Sequence, residues 1–520
     1  MTPAAPAPVV EALTDPRTYP EPVEQVELIE THISWVFLAG EWVYKVKKPV
    51  DLGFLDFTTI ERRRFFCEEE VRLNQRLTRD VYLGVVELKG ADRLRFDGPG
   101  AIREVAVKMR RLPHDRMLDL LVREDRAEPA LLEELGRVVA RFHAAAPTGG
   151  EIDTLGGLDT VRANWHENFA QTASFGADVL PDEWRRDLKA WVDTFLEREP
   201  GRFAARVAAG RSRDCHGDLQ AQHVCCTEPI QIFDCIEFNH RFRYGDVAGE
   251  IAFLAMDLIR LGRGDLAMRF VNAYLEESGD YAAVPLLDFY GAYRAFVRGK
   301  VLGFMVETHP DAAPKARERF ALAHRYTRQR AAPRLLITTG VVGSGKSTVA
   351  RAVAARLGAI VVRTDAERKR LAGLAPTERG APGFGEGLYT PEMSRRTYAE
   401  CLRVAGELLA AGWSVVVDGT FSTAAQRREA REKASRLGVS YAAIWCDAPD
   451  AILADRLRQR AADPREVSDA GPELLIPHRA QYDAPDFEPG TIRVDTTSGP
   501  DAAVTEALRR LSSVLTSFAG

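Results

Sequence analysis

Residues 340–348 read Gly-Val-Val-Gly-Ser-Gly-Lys-Ser-Thr and satisfy G-x-x-x-x-G-K-[ST] with Gly340, Gly345, Lys346 and Ser347. Such a loop constrains the fold as well as the chemistry, because it works only between a buried strand and the helix that follows. The apolar run Leu335-Leu336-Ile337 supplies the strand, and Val349, Val353 and Leu357 recur every four residues as a helix face. Gly340, Gly343 and Gly345 let backbone N–H groups close around phosphate oxygens, and the helix N-terminus adds positive potential. Lys346 is expected to reach the outer phosphates and Ser347 to ligate Mg²⁺, with Ser344 and Thr348 completing the nucleotide-binding set. Alone, the loop implies a nucleotide, ATP or GTP.

Beyond Ala331-Ala332-Pro333, short apolar strands alternate with helices: 335–339, 360–362, 415–417, 441–445 and 491–494. Alternation of this kind predicts a parallel sheet with helices on both faces. The chain before that point reads differently. Residues 1–25, rich in Pro and Ala, are expected to form a flexible arm. Two strands joined at Ala39-Gly40, a helix over 61–77 with Phe65, Phe66, Val71, Leu73 and Leu77 turned inward, and strands over 81–88 and 101–112 predict a small sheet with one helix. Helices dominate from 118 to 330. Three segments follow, 1–25, 26–330 and 331–520, combining an α+β half with an α/β half.

Cys215-His-Gly-Asp-Leu-Gln-Ala-Gln-His223 precedes the strand Ile230-Gln-Ile-Phe and then Asp234. Asp218 on a loop and Asp234 at a strand end suit the orientation of a hydroxyl nucleophile and the holding of Mg²⁺ against ATP. His216-Gly217-Asp218 with its later apolar-Asp step resembles the aminoglycoside and choline phosphotransferases, bilobal relatives of the protein kinases, over residues 26–330. The resemblance implies that Asp218 is the catalytic aspartate and Asp234 the main Mg²⁺ ligand. It also implies that Lys45 grips the α/β-phosphates, that Glu70 positions this lysine, and that 109–114 is the adenine hinge. Lys47 shares a strand face with Lys45 and is its rival. His223 stands where these families carry Asn as a second metal ligand, and a neutral imidazole suits Mg²⁺ poorly. Glu237, three residues after Asp234, is a candidate to supplement metal binding, while Arg243 and Asp246 read as a structural brace, Lys48 as solvated surface and His143 as a packed residue.

In the second half, Asp365 is expected at a strand end beside the acceptor, able to take the proton of an attacking hydroxyl, with Arg368 and Lys369 one turn on to hold an anionic acceptor. Asp418 ends the next buried strand as a candidate Mg²⁺ ligand, and Arg427 follows on the next helix. Arg456 and Arg460, four apart on one helix face, with Arg465 beyond, can stabilise charge on a transferring phosphoryl group. This order of pieces resembles the small P-loop kinases: gluconate kinase, chloramphenicol phosphotransferase and the kinase half of polynucleotide kinases. The resemblance implies the fold of a P-loop NTPase, a parallel sheet between helical layers.

The chain as a whole is 520 residues, 46% hydrophobic and 28% charged, as expected of globular domains in the cytoplasm; no run approaches 18 apolar residues and no basic leader opens the chain. Seven cysteines without a CxxC pair fit free thiols. A net charge of −5 speaks against a nucleic-acid partner, while leaving room for a local basic groove near Arg368, Lys369, Arg395 and Arg396. The expected activity is ATP/Mg²⁺-dependent transfer of the γ-phosphoryl group, at two sites, to a hydroxyl of a small sugar-like or aminoglycoside-like molecule. Two alternatives are a nucleotide-sensing regulator whose first half binds ATP without catalysis, and a 5′-hydroxyl nucleic-acid kinase in the second half. Oligomeric state is left open.

Overall fold

The computed structural model of the protein describes residues 7–91, 93–96, 98–378, 387–461 and 472–516, with side chains for all of these except 7, 8, 387, 460, 461 and 513–516. The chain forms two compact units, one from Met1–Ala127, Ala145–Ser174 and Lys189–Asp257, the other from Glu128–Ala144, Phe175–Leu188 and Leu258–Gly520.

The first unit is built on a six-stranded antiparallel sheet of β1 (Val26–Glu30), β2 (Ser34–Ala39), β3 (Trp42–Lys47), β4 (Tyr82–Lys89), β5 (Arg95–Phe96) and β6 (Ile102–Arg110), in the order β1-β2-β3-β6-β4-β5. Strand alternation divides β3 cleanly. Tyr44 and Val46 join Trp35, Phe37, Phe96 and Ala106 in an apolar cluster on one face. Lys45 and Lys47 point to the other face, where helix Ile60–Asn74 lies.

Several expectations need correction here. Residues 7–19 are not a loose arm: helix Ala7–Thr14 buries Val9 and Leu13, with Tyr19, in the sheet's apolar cluster. Leu73 is buried as expected, with Phe66 and Val71 packed against buried clusters, but Phe65 is 56% exposed and the helix also buries Arg63, Cys67, Glu70 and Asn74. Lys48 is buried, donating to Glu30 and to the Thr31 carbonyl over the Trp35 ring. The remaining short strands are β7 (Ser212–Asp214), β8 (Val224–Cys225), β9 (Gln231–Ile232) and β10 (Tyr244–Asp246); β7 pairs with β10 and β8 with β9.

In the second unit, β11 (Arg334–Thr339), β12 (Ile360–Arg363), β13 (Val415–Asp418), β14 (Ser440–Asp447) and β15 (Thr491–Asp495) form a wholly parallel sheet in the order β12-β13-β11-β14-β15. Leu335–Thr339, Ile360–Arg363 and Val415–Asp418 are buried throughout, as parallel strands covered on both faces require. Helices Lys346–Leu357 and Pro500–Thr516 close one face with Val349, Val353, Ala503 and Ala507, and Pro391–Ala410 and Ala424–Arg436 pack on the other. The free edge of β12 is covered by helix Gly264–Ser278. There the Asn272 amide donates to the Ala359 carbonyl at 3.1 Å and accepts the Val361 N–H at 2.8 Å, taking the place of a neighbouring strand.

All seven cysteines are free and buried. No helix among the described residues is long and apolar enough to cross a membrane.

Candidate active sites

In the first unit the face of β3 toward helix Ile60–Asn74 carries a buried charge network. Lys45 Nζ lies 2.7 Å from Glu70 Oε1 and 2.6 Å from Asp234 Oδ1. Lys47 Nζ lies 2.7 Å from Glu70 Oε2 and also meets Glu237. Glu70 thus bridges both lysines from a position with no exposure. The two lysines are distinguished by access: Lys45 is 13% exposed beside Asp234, whereas Lys47 is sealed at 0% with its ammonium over the Phe57 ring.

The ionisation states follow from this packing. Desolvation works against both lysine charges, yet Asp234 and Glu70 hold Lys45 well above its ordinary value, and Glu237 and Glu70 do the same for Lys47. Burial would raise Glu70, but Lys45 and Lys47 outweigh it and lower it. Glu237 is raised, because burial dominates the pull of Lys47. For Asp234 burial is again overcome, by Lys45 and then His223, and the carboxyl sits far below the carboxylate range. Asp234 also adopts φ +64, a left-handed conformation costly for a residue with a Cβ, with its N–H donated to the Tyr82 hydroxyl at 3.3 Å.

The His216–His223 segment is fixed from behind by Glu250. Its carboxylate accepts the N–H groups of His216, at 2.9 Å, and Gly217, at 2.6 Å. Gly217 has φ +87, and an added Cβ would stand 3.0 Å from the Phe242 carbonyl, so only glycine fits. His216 is lowered by burial and spans the turn: Nδ1 accepts the Asp218 N–H at 3.3 Å, and Nε2 donates to the Phe233 carbonyl at 2.9 Å. This turn and the β8–β9 hairpin bring the two aspartates to one imidazole. His223 Nδ1 is 2.8 Å from the Asp218 carbonyl and 3.5 Å from its Oδ2, and Nε2 is 3.5 Å from Asp234 Oδ2. Arg243 and Asp246 are buried in ion pairs with Asp214 and Arg206, a structural arrangement. At the 109–114 segment, the Arg110 and Arg111 N–H groups are spent on the Val81 and Glu41 carbonyls.

In the second unit the phosphate loop joins β11 to helix Lys346–Leu357. Gly340 has φ +140, and a Cβ there would stand 2.3 Å from the Cys446 carbonyl and 2.7 Å from Ser344 Oγ, so side chains are kept out of the cradle. The Ser344 hydroxyl is buried without a hydrogen-bond partner among the described residues, and Lys346 Nζ folds onto the Val341 carbonyl at 2.8 Å. An unsatisfied hydroxyl and an ammonium resting on its own loop suit an arriving phosphate group. Asp418, at the buried end of β13, accepts the Thr338 hydroxyl at 2.9 Å, and Ser347 is half-buried on the first helical turn. These oxygen donors fit a hard divalent cation.

Arg456 lies beside this loop: it donates to Thr496 Oγ1 at 3.0 Å, and that hydroxyl donates to the Ser344 carbonyl at 3.1 Å. The side chain of Arg460 and all of Arg465 lie outside the described residues. Asp365 sits half-buried in the first turn of helix Thr364–Leu371 rather than on the strand, which ends at Arg363. Arg368 and Lys369 are not open to an acceptor. Both are buried, Arg368 donating to the Leu388 carbonyl and Ser394 against the Tyr389 ring, Lys369 to the Pro376 carbonyl. Arg427 is fully buried on Glu488 and the Phe421 carbonyl.

Sequence reasoning missed several neighbours of these sites. Glu250, Thr338, Thr496 and Arg363 act through contacts made far along the chain. His478 is pushed down to about 4 by burial and by the charge of Lys346.

Comparison with known proteins gives the class of the chain. Residues 68–287 match the phosphotransferase enzyme family and residues 335–485 the family described as AAA domain. Fold and matches together define the protein as a kinase, an ATP-dependent phosphotransferase. The chain belongs to the family of the uncharacterized protein Rv2004c of Mycobacterium tuberculosis (strain ATCC 25618 / H37Rv), with 36% identity over 487 residues, 93% of this chain and 94% of that one. It is also similar to the shikimate kinase of Nitrobacter winogradskyi, at 34% identity over 137 residues, 26% of this chain and 56% of the relative. Among solved structures, a gluconokinase from Sinorhizobium meliloti 1021 aligns at 25% identity and a TM-score of 0.28, covering 36% of this chain and 97% of that one.

Proposed function

We propose that the chain carries two phosphoryl-transfer sites, each using ATP and Mg²⁺ and each acting on a hydroxyl of a small polar acceptor, sugar-like or aminoglycoside-like, with the division between them near residue 330. The observation that carries the reading is that Asp218 and Asp234 flank one imidazole while Asp234 also pairs with Lys45, itself held by Glu70, in a unit separate from the phosphate loop. At the first site Lys45 takes the α/β-phosphates, Glu70 holds it in place and Asp218 receives the proton of the acceptor hydroxyl as that oxygen attacks the γ-phosphorus and ADP leaves. Lys45 fits this role better than Lys47, whose ammonium is closed off by Glu70, Glu237 and Phe57.

At the second site Gly340–Thr348 cradles the phosphates, Lys346 swings from the Val341 carbonyl to the outer phosphates, and Asp365 takes the acceptor proton. Arg456, with Arg460, opposes charge on the transferring group. Mg²⁺, when bound, neutralises phosphate charge as a Lewis acid; Asp234, with His223, offers ligands at the first site, and Asp418 and Ser347 at the second.

The regulator alternative draws on His223, whose imidazole stands 3.5 Å from Asp234 Oδ2 where an oxygen ligand serves Mg²⁺ better. The two readings separate in one experiment. Parent, Asp218→Asn and Lys346→Ala proteins are incubated with ATP and a pool of sugars, aminoglycosides and nucleosides, and phosphorylated products are read by mass spectrometry. Two-site catalysis predicts that each variant loses a different product. Loss of all product in Lys346→Ala and none in Asp218→Asn, with ATP still bound at the first site, establishes the regulator instead. Labelling of the 5′ end of an oligonucleotide added to the pool would select the nucleic-acid kinase.

A further inference from the structure

Arg363 is the last residue of β12 and pairs in register with Asp418 at the end of β13. Two carboxylates face its guanidinium. Nη1 lies 3.4 Å from Glu276 Oε1, on helix Gly264–Ser278, and Nε lies 3.6 Å from Asp418 Oδ2. All three groups are withdrawn from solvent, with side-chain exposures of 4% for Arg363, 14% for Glu276 and 3% for Asp418. The other Asp418 oxygen is occupied by the Thr338 hydroxyl. The oxygen facing Arg363 therefore decides how much negative charge Asp418 can offer a cation.

We infer that Glu276 is a positioning residue of the phosphate-loop site: it holds Arg363 back from Asp418 and so keeps that carboxylate available to a divalent metal ion. The inference rests on the reading of Asp418 as the metal-site aspartate. A guanidinium free to approach a buried carboxylate closes to a charge-assisted hydrogen bond of about 2.8 Å; Arg363, drawn toward Glu276 on its other side, stands 3.6 Å from Asp418. Without the Glu276 charge, Arg363 collapses onto Asp418 and competes directly with the metal. Closing the gap from 3.6 Å to about 2.8 Å at an effective dielectric of about 20 strengthens the Arg363–Asp418 attraction enough to weaken metal binding by about tenfold. The helix does not depend on the Glu276 side chain for its place, because the Asn272 amide holds β12 and Arg370 donates to the Glu276 main-chain carbonyl at 2.8 Å.

The test is Mn²⁺ binding, followed by electron paramagnetic resonance with a non-hydrolysable ATP analogue, in an Asp234→Ala background that silences the first site. Glu276→Gln is expected to weaken Mn²⁺ binding about tenfold while metal-free nucleotide affinity stays within twofold. Arg363→Gln is expected to bind Mn²⁺ at least as tightly as the background protein, and adding Glu276→Gln to it to change nothing. Unchanged binding in Glu276→Gln overturns the inference, as does equal weakening with and without Arg363. Should Glu276→Gln fail to fold, Arg363→Gln decides alone, since weaker Mn²⁺ binding there contradicts the competition. Absence of any Mn²⁺ binding in the background protein overturns the reading of the phosphate-loop site itself, and the inference with it.

Discussion

Replacing Lys47 with methionine tests the charge network of the first unit directly. As the side chains stand, Lys45 and Lys47 face Glu70, Glu237 and Asp234. Lys47→Met keeps an unbranched, nearly isosteric side chain but removes the ammonium, so that among the described residues Glu237 loses its contacting cation and Glu70 keeps Lys45. At 2.7 Å the Lys47–Glu70 attraction is about 6 kcal/mol for an effective dielectric of about 20, partly offset because the ammonium no longer has to be desolvated. Loss of one partner from a buried pair typically costs about 3–5 kcal/mol, a drop of about 6–20 °C in the melting midpoint of a unit this size. The measurement is scanning calorimetry, in which Lys47→Met with Glu237→Gln added should recover more than half of the loss, since the stranded charge is removed. A single variant that melts within about 2 °C of the parent, or a double variant no more stable than the single, would refute the account of this network.

Two further outcomes follow from the second unit. His478 titrates near 6.5 when unfolded and at about 4 when folded, so the unfolded chain binds more protons between those values. Its neutral burial contributes stability fully present above about pH 6.5 and lost as the pH falls toward 4, by at most about 3 kcal/mol; melting curves from pH 4 to 7.5 should show a shallower acid decline for His478→Gln. Gly340→Ala places a Cβ 2.3 Å from the Cys446 carbonyl and is expected to weaken nucleotide binding at the phosphate loop more than tenfold, read by titration with a fluorescent ATP analogue, while the first site is unaffected.

The phosphate loop and the parallel strands were legible because their signals are local: a glycine spacing, and apolar runs that are buried on both faces. The HGD turn was legible for the same reason. Lys45 and Lys47 were not separable, since a period of two puts both on one face and only the distant Glu237 and Phe57 distinguish them. Helix Ile60–Asn74 misled because its inward stripe, Arg63, Cys67, Glu70 and Asn74, is largely polar, so hydrophobicity pointed to Phe65. Arg368, Lys369 and Lys48 read as surface charges, and each is buried by carbonyl or carboxylate partners that composition does not reveal. Helix Ala7–Thr14 was hidden by the Pro- and Ala-rich composition of the segment around it, although Val9 and Leu13 supply a buried face that Tyr19 joins. Glu250 holds His216 and Gly217 from 33 or more residues away, beyond any motif.

The Asn272 side chain, standing in for a sixth strand on the edge of β12, also sets where this chain can be cut. A gene fragment starting at residue 331 would keep every strand of the parallel sheet, yet leave the Ala359 carbonyl and the Val361 N–H open along a bare β12 edge. Exposed edges recruit strands from other molecules. Such a fragment should aggregate where one beginning before Gly264 stays dispersed, so the phosphate-loop half borrows its solubility from sequence that precedes it.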